Sequence, residues 1–581
     1  MKKNFTFNHN PLLSERLPVW RARFVLVGLL LGSIALCGRA MYLQGVNQEF
    51  LQAKGESRYA RTLTLSATRG RILDRHGETL AMSTPMKGIA AIPDVAQLTA
   101  GQVAQLSQAL DMDAREVNRK LASEKDFIFI KREVPPDVAA RISSLKLPGI
   151  RTEDEYRRYY PVGDVTSHIV GFTNVDDRGQ EGVELAFNND LAGKAGSRRV
   201  IKDRRGAIVE DVESIKRPQD GGDITLAVDA KIQYLAYSAL KQTVEQSQAK
   251  AGGVVVLDVK TGEVLALVNN PTYNPNNRGR LSGAQLRNRV LTDQYEPGST
   301  MKPFVAAMAL ESARYRPDTM IDTLNGAMTI DGATIHDSHR IGLVTLSQVI
   351  QKSSNIGVAK IALTFPPKHM WETYDRLGFG QPLKLGFPGE VGGRLRPYNT
   401  WRPIEQATMA YGHGVSVTLM QMAHAYLALA RDGELLPLSL TKIDAPPLHG
   451  QQVFSPEVAR QVRAMLESVV GPGGTAPEAH VPGYRVAGKT GTALKIEGGK
   501  YAKKYVGSFI GFAPVSDPRL IVAVMIDEPT KGSYYGGSVA GPAFSQIMGG
   551  SLRALGVRPD APITPVQVAR QNVTSKPGDA M

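Results

Sequence analysis

The chain has 581 residues, 42% of them hydrophobic and 21% charged, so it is long enough for two to four folded domains. Its formal net charge of +14 favours an anionic partner, but the basic residues are spread out and not interleaved with aromatic ones. This argues against nucleic acid and leaves anionic lipid or an acidic polymer. The single cysteine, Cys37, excludes an internal disulfide and a cysteine-based metal cluster. No phosphate-binding glycine loop is apparent either, so we expect no cofactor.

The N-terminal region contains a candidate membrane helix. Residues 24–38 carry no charge, and the apolar run resumes after Arg39 as far as Leu43. Because an arginine near a helix end can extend its charge to the lipid headgroups, residues 24–43 are long enough to span a bilayer. Basic residues outnumber acidic ones before this run, which predicts a cytoplasmic tail over residues 1–23 and an outward-facing remainder. A cleaved signal peptide is the alternative, but the small-x-small cleavage pattern is missing.

Residues 44–222 form a first extramembrane region. Short alternating runs and turn signals are mixed throughout it, which predicts both strands and helices. Residues 95–121 have apolar side chains at three- and four-residue spacing, which favours helix. The polar, glycine-bearing segment 218–222 predicts a linker to the next region.

Residues 223–558 form a second region. An amphipathic helix is predicted over residues 232–244, and two β-branched runs around a short glycine-bearing turn predict a hairpin over 253–268. Three further strands are predicted over 484–495, 508–513 and 520–526, and helices over 299–312, 407–412 and 418–431. Strands at both ends with helices between them predict an α+β domain with a central antiparallel sheet. Residues 559–581 are polar and contain proline, which predicts a flexible tail.

The segment 296–304 predicts a reactive serine. Pro303 fits only the first turn of a helix, so the helix begins near Ser299, and Lys302 lies on the same face three residues later. The residues that follow are almost wholly apolar, which predicts a buried helix. A buried lysine loses its proton readily and can act as the base for the serine. The helix N-terminus would add positive potential near a developing oxyanion.

Serine and lysine at this spacing are a weak signal by themselves. The spacing occurs at Ser299 and also elsewhere in the chain, including Ser143, Ser247 and Ser439. Ser143 and Ser247 lie in charged segments that we expect to be exposed helices, and Ser439 follows a loop. Ser353-Ser354-Asn355 stands 54 residues after Ser299, and Lys489-Thr490-Gly491-Thr492 begins another 134 residues after Asn355. An earlier Lys-Thr-Gly at 260–262 belongs to the predicted hairpin turn. The ordered triple therefore selects Ser299 as the nucleophile of an acyl-transfer enzyme.

The members of this triple suit different roles. Ser353 can relay a proton between Lys302, Lys489 and a leaving amine, and Asn355 can bind a substrate amide. Lys489 adds positive charge at a strand edge. These roles are the ones that an acyl transfer to and from a serine requires.

The residues after Lys489 suit substrate binding. Thr490 and Thr492 offer hydroxyls to an anionic carboxylate, and Gly491 leaves room for a substrate backbone against the strand edge. The N–H groups of Ser299 and Thr492 predict an oxyanion hole.

In these residues the chain resembles the class B penicillin-binding proteins, which are peptidoglycan D,D-transpeptidases. Five further segments match that family: 69–81 (RGRILDRHGETLA), 158–161 (RYYP), 179–184 (GQEGVE), 274–277 (NPNN) and 534–537 (YYGG). The chain is most similar to the division-specific members of Gram-negative bacteria, the penicillin-binding protein 3 type. The resemblance implies a transmembrane helix, a mixed α+β pedestal domain over 44–222 and a transpeptidase domain over 223–558. The latter would have a central antiparallel sheet flanked by helices, as in serine β-lactamases.

The resemblance also implies a substrate and partners. Ser299 would attack the penultimate D-Ala of a peptidoglycan stem peptide on lipid-linked precursor and release the terminal D-Ala, and a neighbouring stem would accept the acyl group. β-Lactam antibiotics would trap Ser299 covalently. The enzyme would sit in the bacterial inner membrane with its catalytic domain in the periplasm, at the division septum. A SEDS-type glycan polymerase and other divisome proteins would be its partners.

Two residues depart from the family pattern. Met301 stands where valine is usual, a mild core exchange. His413 replaces a tyrosine, and it is either a loop histidine without chemical role or, if it lies near the cleft, a source of pH dependence. The chain could thus be the main division enzyme or a specialised paralogue.

Four other functions can be weighed against this interpretation. A bifunctional enzyme would need a glycosyltransferase Glu-Asp motif, and residues 153–154 lie in pedestal-like surroundings instead. A β-lactamase would need a deacylating base between Asn355 and Lys489, and no Glu-x-x-x-Asn stretch there supplies one. A D,D-carboxypeptidase differs only in its acceptor and stays open. The intact triple argues against a non-catalytic divisome scaffold or penicillin sensor.

Overall fold

A computed structural model describes residues 18–48, 60–202, 208–279, 281–445 and 449–562. Helix α1 (Val19–Met41) follows Pro18 and continues as a π-helical segment over Tyr42–Val46. Its 23 residues extend about 35 Å, which exceeds the roughly 30 Å hydrocarbon core of a bilayer. Within the described residues it is the one helix long and apolar enough to cross a membrane. The predicted cytoplasmic tail lies, as far as residue 17, outside the described residues.

The region after α1 mixes strands and helices, as predicted. Its strands are β1 (Ala60–Leu65), β2 (Ile72–Leu73), β3 (Thr79–Ala91), β4 (Ile128–Val134), β5 (Ile150–Tyr159), β6 (Phe172–Thr173), β7 (Gly179–Glu181), β8 (Gly196–Lys202), β9 (Ile208–Lys216) and β10 (Ile224–Thr225). Its helices are α2 (Ala100–Leu110), α3 (Ala114–Leu121), α4 (Pro136–Ser144), α5 (Ser167–Val170), α6 (Gly182–Ala186) and α7 (Asn188–Leu191). Strands β1, β8 and β9 form one sheet, and β3 lies between β4 and β5 in another.

The helical stretch predicted over residues 95–121 is two helices. Thr99 caps α2 with Gln102, and Asp111 ends it in the left-handed conformation (φ 50°). Asp113 then accepts a hydrogen bond from the Arg115 N–H and caps α3. Helices α2, α3 and α4 pack with β3 and β4 around a small apolar core of their own. Capping by side chains thus divides a stretch whose apolar spacing is continuous.

A buried ion cluster joins three of the pedestal segments named above. Glu184 accepts hydrogen bonds from Arg69 Nε and Arg158 Nε, each at 2.6 Å. None of these three side chains is more than 2% exposed. Asp177 lies close enough that both arginines favour its charged form, although burial raises its pKa. Every arginine in the cluster therefore faces a carboxylate.

The second region contains the predicted antiparallel sheet. Its strands are β11 (Ala251–Asp258), β12 (Val264–Asn270), β13 (Met320–Asp322), β14 (Ala327–Ile330), β15 (Ala333–His336), β16 (Leu343–Thr345), β17 (Glu434–Leu435), β18 (Gln451–Gln452), β19 (Ala487–Glu497), β20 (Lys500–Ala513) and β21 (Leu520–Asp527). The main sheet has the order β12-β11-β21-β20-β19 with every pair antiparallel. This confirms the predicted fold class. Strand β19, which carries Lys489, lies at the edge of the sheet.

Helices cover both faces of this sheet. The helices of this region are α8 (Ala230–Ser247), α9 (Gly283–Leu286), α10 (Arg289–Thr292), α11 (Lys302–Glu311), α12 (Leu346–Gln351), α13 (Asn355–Leu363), α14 (Pro367–Arg376), α15 (Pro403–Met409), α16 (Leu419–Ala430), α17 (Pro456–Val470) and α18 (Gly536–Ala554). A Cβ at Gly252 would touch Leu240 and Val244 of α8, whereas one at Gly253 would approach Leu419 of α16. Because successive strand residues face opposite ways, α8 and α16 lie on opposite faces.

The two regions share one apolar core. Ile72, Leu80 and Tyr160 of the first region belong to the same buried cluster as the sheet and helices of the second. The predicted domain boundary between residues 222 and 223 therefore does not separate two apolar cores. It stays a prediction. At the far end, Asp560 accepts hydrogen bonds from the Arg485 and Ser516 N–H groups, and the predicted tail beyond residue 562 lies outside the described residues.

Candidate active site

The candidate nucleophile lies on a tight turn that leads into a buried helix. Residues Gly298–Met301 form a 3-10 turn, and α11 continues it from Lys302 with Pro303 in its first turn, as the sequence predicts. A Cβ on Gly412, which has a positive φ of 84°, would lie 2.3 Å from the Gly298 carbonyl oxygen. The turn is thus packed closely from behind. Ser299 itself is only half-buried, so a substrate can reach it.

Lys302 is completely buried and faces Ser353. Its Nζ donates to the Ser353 carbonyl oxygen at 2.5 Å and to Ser353 Oγ at 3.0 Å. Ser353 has a φ of 61°, a conformation that is costly for serine and that the surrounding contacts hold in place. In the described part of the chain Lys302 forms no ion pair with a carboxylate.

Lys489 reaches the same hydroxyl from the edge strand. Its Nζ donates to Ser353 Oγ at 2.9 Å and to Thr490 Oγ1 at 3.3 Å. Burial lowers the pKa of Lys489 to about 7. Burial, followed by the charge of Lys489, lowers the pKa of Lys302 well below its ordinary value, and Asp337 opposes this shift. Two lysines whose pKa values are lowered by burial therefore share one serine hydroxyl.

Asn355 begins α13 and is held by residues that the sequence did not single out. Its Nδ2 donates to the His336 carbonyl oxygen at 2.9 Å. Asp337 accepts from the backbone N–H groups of Asn355 and Ile356 and from Ser354 Oγ. The Asp337 carboxylate thus caps the helix and fixes the backbone next to Ser353. No local signal marks Asp337, because the contact depends on how the β14–β15 hairpin folds back.

The residues after Lys489 also make contacts within the protein, and their roles towards a substrate stay predictions. The Thr492 hydroxyl accepts a hydrogen bond from the Gly536 N–H at 3.0 Å, and the hydroxyls of Thr490 and Thr475 lie 3.1 Å apart. A Cβ on Gly491 would lie 2.5 Å from Ser508 Oγ. Glycine is therefore required for close packing within the protein, in addition to any room that it leaves for a substrate.

The same Cβ would also meet the nucleophile turn. It would lie 2.9 Å from the Pro297 carbonyl oxygen and 3.0 Å from Thr300 Cγ2. The edge strand and the serine turn are thus in direct contact at Gly491, which fixes the distance between the first and third parts of the site.

The competing matches lie elsewhere. Ser143 is exposed on α4, whereas Ser247 is buried at the end of α8 and donates to the Thr243 carbonyl oxygen. The expectation of an exposed Ser247 is wrong, because the helix C-terminus packs inward. The Lys-Thr-Gly at residues 260–262 forms the β11–β12 turn, where Asp258 accepts from the backbone N–H groups of the turn. Neither serine lies with the two buried lysines.

His413 lies beside the cleft. Its ring centroid is 5.1 Å from that of Tyr411 and 5.8 Å from that of Tyr501. Burial lowers the pKa of His413, the Glu296 carboxylate opposes the shift, and the charge of Lys302 adds to it. His413 is therefore close enough to the site for its charge to matter, which keeps the question of pH dependence open.

Comparisons with known proteins agree with this geometry. Residues 252–549 match the penicillin binding protein transpeptidase domain, and residues 64–226 match the penicillin-binding protein dimerisation domain. The chain is 45% identical over 554 residues to a protein of Neisseria gonorrhoeae named probable peptidoglycan D,D-transpeptidase PenA, covering 94% of this chain and 95% of that one. It is 42% identical over 550 residues to the peptidoglycan D,D-transpeptidase FtsI of Escherichia coli, covering 93% of each.

A solved structure is similar too. The transpeptidase domain of Burkholderia pseudomallei penicillin-binding protein 3 is 54% identical with a TM-score of 0.54, and the match covers 58% of this chain and 98% of that one. One family model covers the pedestal and the other covers the catalytic region, and each of the two full-length relatives spans both. This confirms the resemblance drawn from the motifs. The chain therefore belongs to the family of penicillin-binding protein transpeptidases, of the penicillin-binding protein 3 type.

Proposed function

We propose that this peptidoglycan D,D-transpeptidase cross-links stem peptides through an acyl-enzyme on Ser299, with Lys302 as its general base. The observation that carries the proposal is the pair of buried lysines that share the Ser353 hydroxyl without a carboxylate partner in the described residues. A lysine in this setting is neutral at a pH where exposed lysines are charged. Proton transfer from a serine hydroxyl to such an amine is what nucleophilic attack requires.

The acylation step follows from this arrangement. Neutral Lys302 accepts the proton as Ser299 Oγ bonds to the carbonyl carbon of the penultimate D-Ala, and the N–H groups of Ser299 and Thr492 bind the oxyanion. The amide C–N bond then breaks. The nitrogen of the terminal D-Ala takes a proton relayed through Ser353, and D-Ala leaves. Lys489 keeps the relay hydroxyl in place by its own hydrogen bond.

The second half transfers the acyl group. An amine from a neighbouring stem attacks the ester carbonyl and gives up its proton through the same relay, which regenerates the Ser299 hydroxyl. The donor peptide lies along β19, an edge strand whose backbone can add a further strand. Asn355 binds its amide, and Thr490, Gly491 and Thr492 face its terminal carboxylate. A β-lactam takes the same place and leaves Ser299 acylated.

The location and partners belong to the same proposal. Helix α1 anchors the protein in the bacterial inner membrane, and the basic residues before it favour a cytoplasmic N-terminus and a periplasmic catalytic domain. Similarity to a protein named FtsI favours work at the division septum on lipid-linked precursor. A SEDS-type glycan polymerase would then supply the strands to be cross-linked, beside other divisome proteins.

Two measurements test the chemistry. A fluorescent penicillin should label the wild type covalently and leave Ser299→Ala unlabelled at equal folded content. With a D-Ala-D-Ala peptide and an added acceptor amine, the wild type should form the acceptor product. Release of D-Ala with water alone as acceptor would identify a D,D-carboxypeptidase instead. A folded wild type that never labels would favour a non-catalytic scaffold.

A further inference from the structure

The edge strand of the site continues into a ribbon that extends beyond the sheet. Strand β21 stops pairing with β20 at Val506 and Asp527, whereas β19 and β20 remain paired out to Glu497 and Lys500. Residues 494–505 therefore have no third strand beside them. A two-stranded ribbon is only marginally stable without further support.

Part of that support comes from Tyr505, whose ring stacks on that of Tyr534 with 4.1 Å between the centroids. A cavity of about 180 Å³ lies at the base of the ribbon, lined by apolar side chains that include Leu494, Ile496, Val506 and Met525. Ion pairs from Lys495 to Asp527 (2.7 Å) and Glu528 (2.6 Å) hold the base of the ribbon. Nearer the tip, Lys504 pairs across the ribbon with Glu497 at 2.7 Å.

The tip contacts the rest of the protein through the ring of His413 and through one carboxylate beside the nucleophile. Tyr501 donates its hydroxyl hydrogen to Glu296 Oε2 at 3.0 Å, and the Gly414 N–H donates to Glu296 Oε1 at 2.7 Å. Glu296 is three residues before Ser299. Both carboxylate oxygens are thus engaged, and one side chain joins the ribbon tip, the serine turn and the loop that carries His413.

The bond is suited to holding rather than to proton transfer. Burial and the Glu296 charge raise the pKa of the Tyr501 hydroxyl, so it remains a donor. Its acceptor is a carboxylate, and hydrogen bonds to carboxylates are stronger than those between neutral groups. Tyr501 is about half exposed, so water competes for the hydrogen bond and weakens it. The hydroxyl group still points at the carboxylate.

We infer that Glu296 is a positioning residue that, through Tyr501, holds the ribbon and the edge strand in place beside Ser299. This inference rests on the proposed function, since it concerns the strand along which the peptide would lie. Without the bond the ribbon must be ordered each time a ligand binds, and that ordering weakens binding. The chemical step, which depends on Lys302 and Ser353, is unchanged once the ligand is bound.

Tyr501→Phe tests this with the smallest possible change, because the ring and its contact with His413 remain. Hydrogen exchange of the backbone amides of residues 494–505 should become about fivefold faster. In labelling with a fluorescent penicillin, the half-saturating concentration should rise about fivefold while the limiting acylation rate stays the same. Tyr234→Phe, the same change at an exposed tyrosine on α8, should alter neither quantity.

Glu296→Gln completes the test as a double-mutant cycle. Its single amide oxygen cannot accept from both Tyr501 and Gly414, so the variant should share the faster ribbon exchange. The two changes together should be no worse than the stronger single change, because both remove one interaction. Unchanged exchange in Tyr501→Phe, additive effects, or a loss confined to the limiting rate would each overturn the inference. A wild type that never labels would refute the proposed function, while the exchange difference would still report on the tether.

Discussion

Two buried clusters of charge, one in each region, are built in opposite ways. In the pedestal, Arg69 and Arg158 lie on either side of Glu184, and every cation has a carboxylate within reach. In the catalytic region, Lys302 and Lys489 meet only at the hydroxyl of Ser353. Both clusters are removed from solvent, yet only the first balances its charges.

The difference follows from what each side chain can do with its proton. An arginine stays charged under all conditions of interest, so a buried arginine needs a carboxylate. A lysine can release its proton instead, and burial drives it to do so. The paired cluster can therefore stabilise the fold but cannot act as a base, whereas the unpaired cluster can act as a base but contributes little to stability. Substitutions in the two clusters should therefore separate an effect on stability from an effect on acylation.

The largest effect is expected at the unpaired cluster. Lys302→Met removes the amine and keeps an apolar stem of similar length, so acylation by a fluorescent penicillin should slow about 10³-fold or more. The melting temperature should hold or rise, since a buried polar group has been removed. Lys231→Met, at an exposed position on α8, is the control and should leave both unchanged. A variant that still acylates within tenfold of wild type would rule out Lys302 as the base.

The reverse pattern is expected at the paired cluster. Glu184→Gln keeps the shape but leaves two buried arginines without their carboxylate, which should destabilise the fold by about 4 kcal/mol. Folded protein that remains should acylate at the wild-type rate. Chemical denaturation followed by circular dichroism measures the first quantity, and labelling below the transition measures the second.

An exposed ion pair provides the matched control. Asp223→Asn breaks a similar contact to Arg71, but both side chains are well exposed. Water and salt already screen that pair, so the denaturation midpoint should not move. Equal losses in Glu184→Gln and Asp223→Asn would mean that burial does not set the strength of the pedestal cluster.

The sequence predicted the unpaired cluster better than the contacts that support it. Spacing along the chain selects Ser299, Lys302, Ser353 and Lys489, because the order of these residues reflects a shared chemistry. Ser353 has its left-handed conformation because it ends helix α12, where the N–H groups of Ser353 and Ser354 donate back to the last turn of the helix. Glycine is usual at such a position, so a serine gives no local signal of it. The Glu296–Tyr501 bond joins residues 205 positions apart, and nothing in either neighbourhood predicts the other.

Local sequence patterns predicted the strands of the main sheet correctly. They predicted the ends of secondary-structure elements less well. The five strands of the main sheet follow from β-branched runs and their turns. The break between α2 and α3 does not, because it depends on Asp113 as a cap rather than on apolar spacing. The buried Ser247 also escaped prediction, since the charged residues around it suggest an exposed helix. Tertiary packing decides such positions.

A moderate effect on stability and acylation is expected where close packing holds the edge strand against the serine turn. Gly491→Ala places a methyl group 2.5 Å from Ser508 Oγ and 2.9 Å from the Pro297 carbonyl oxygen, so the edge strand must move away from the serine turn. We expect a loss of about 1–3 kcal/mol in stability and slower acylation. Gly101→Ala, in α2 with open space around it, should be neutral or slightly stabilising. A Gly491→Ala variant with wild-type acylation would show that the contact does not set the geometry of the site.

The smallest effect separates the lysines from His413 as the source of pH dependence. Because burial lowers the pKa of Lys489 to about 7, acylation should fall as pH decreases below 7, where the lysine amines gain protons. Burial also lowers the pKa of His413, so its ring gains a proton less readily than that of an exposed histidine. His413→Tyr should therefore shift the midpoint of the profile by less than about 0.3 pH units, whereas Lys489→Met should change its shape. A shift of a full unit in His413→Tyr would instead make the histidine the pH-sensitive group. The paired cluster of the pedestal should contribute nothing to the profile, since neither of its arginines releases a proton in this range.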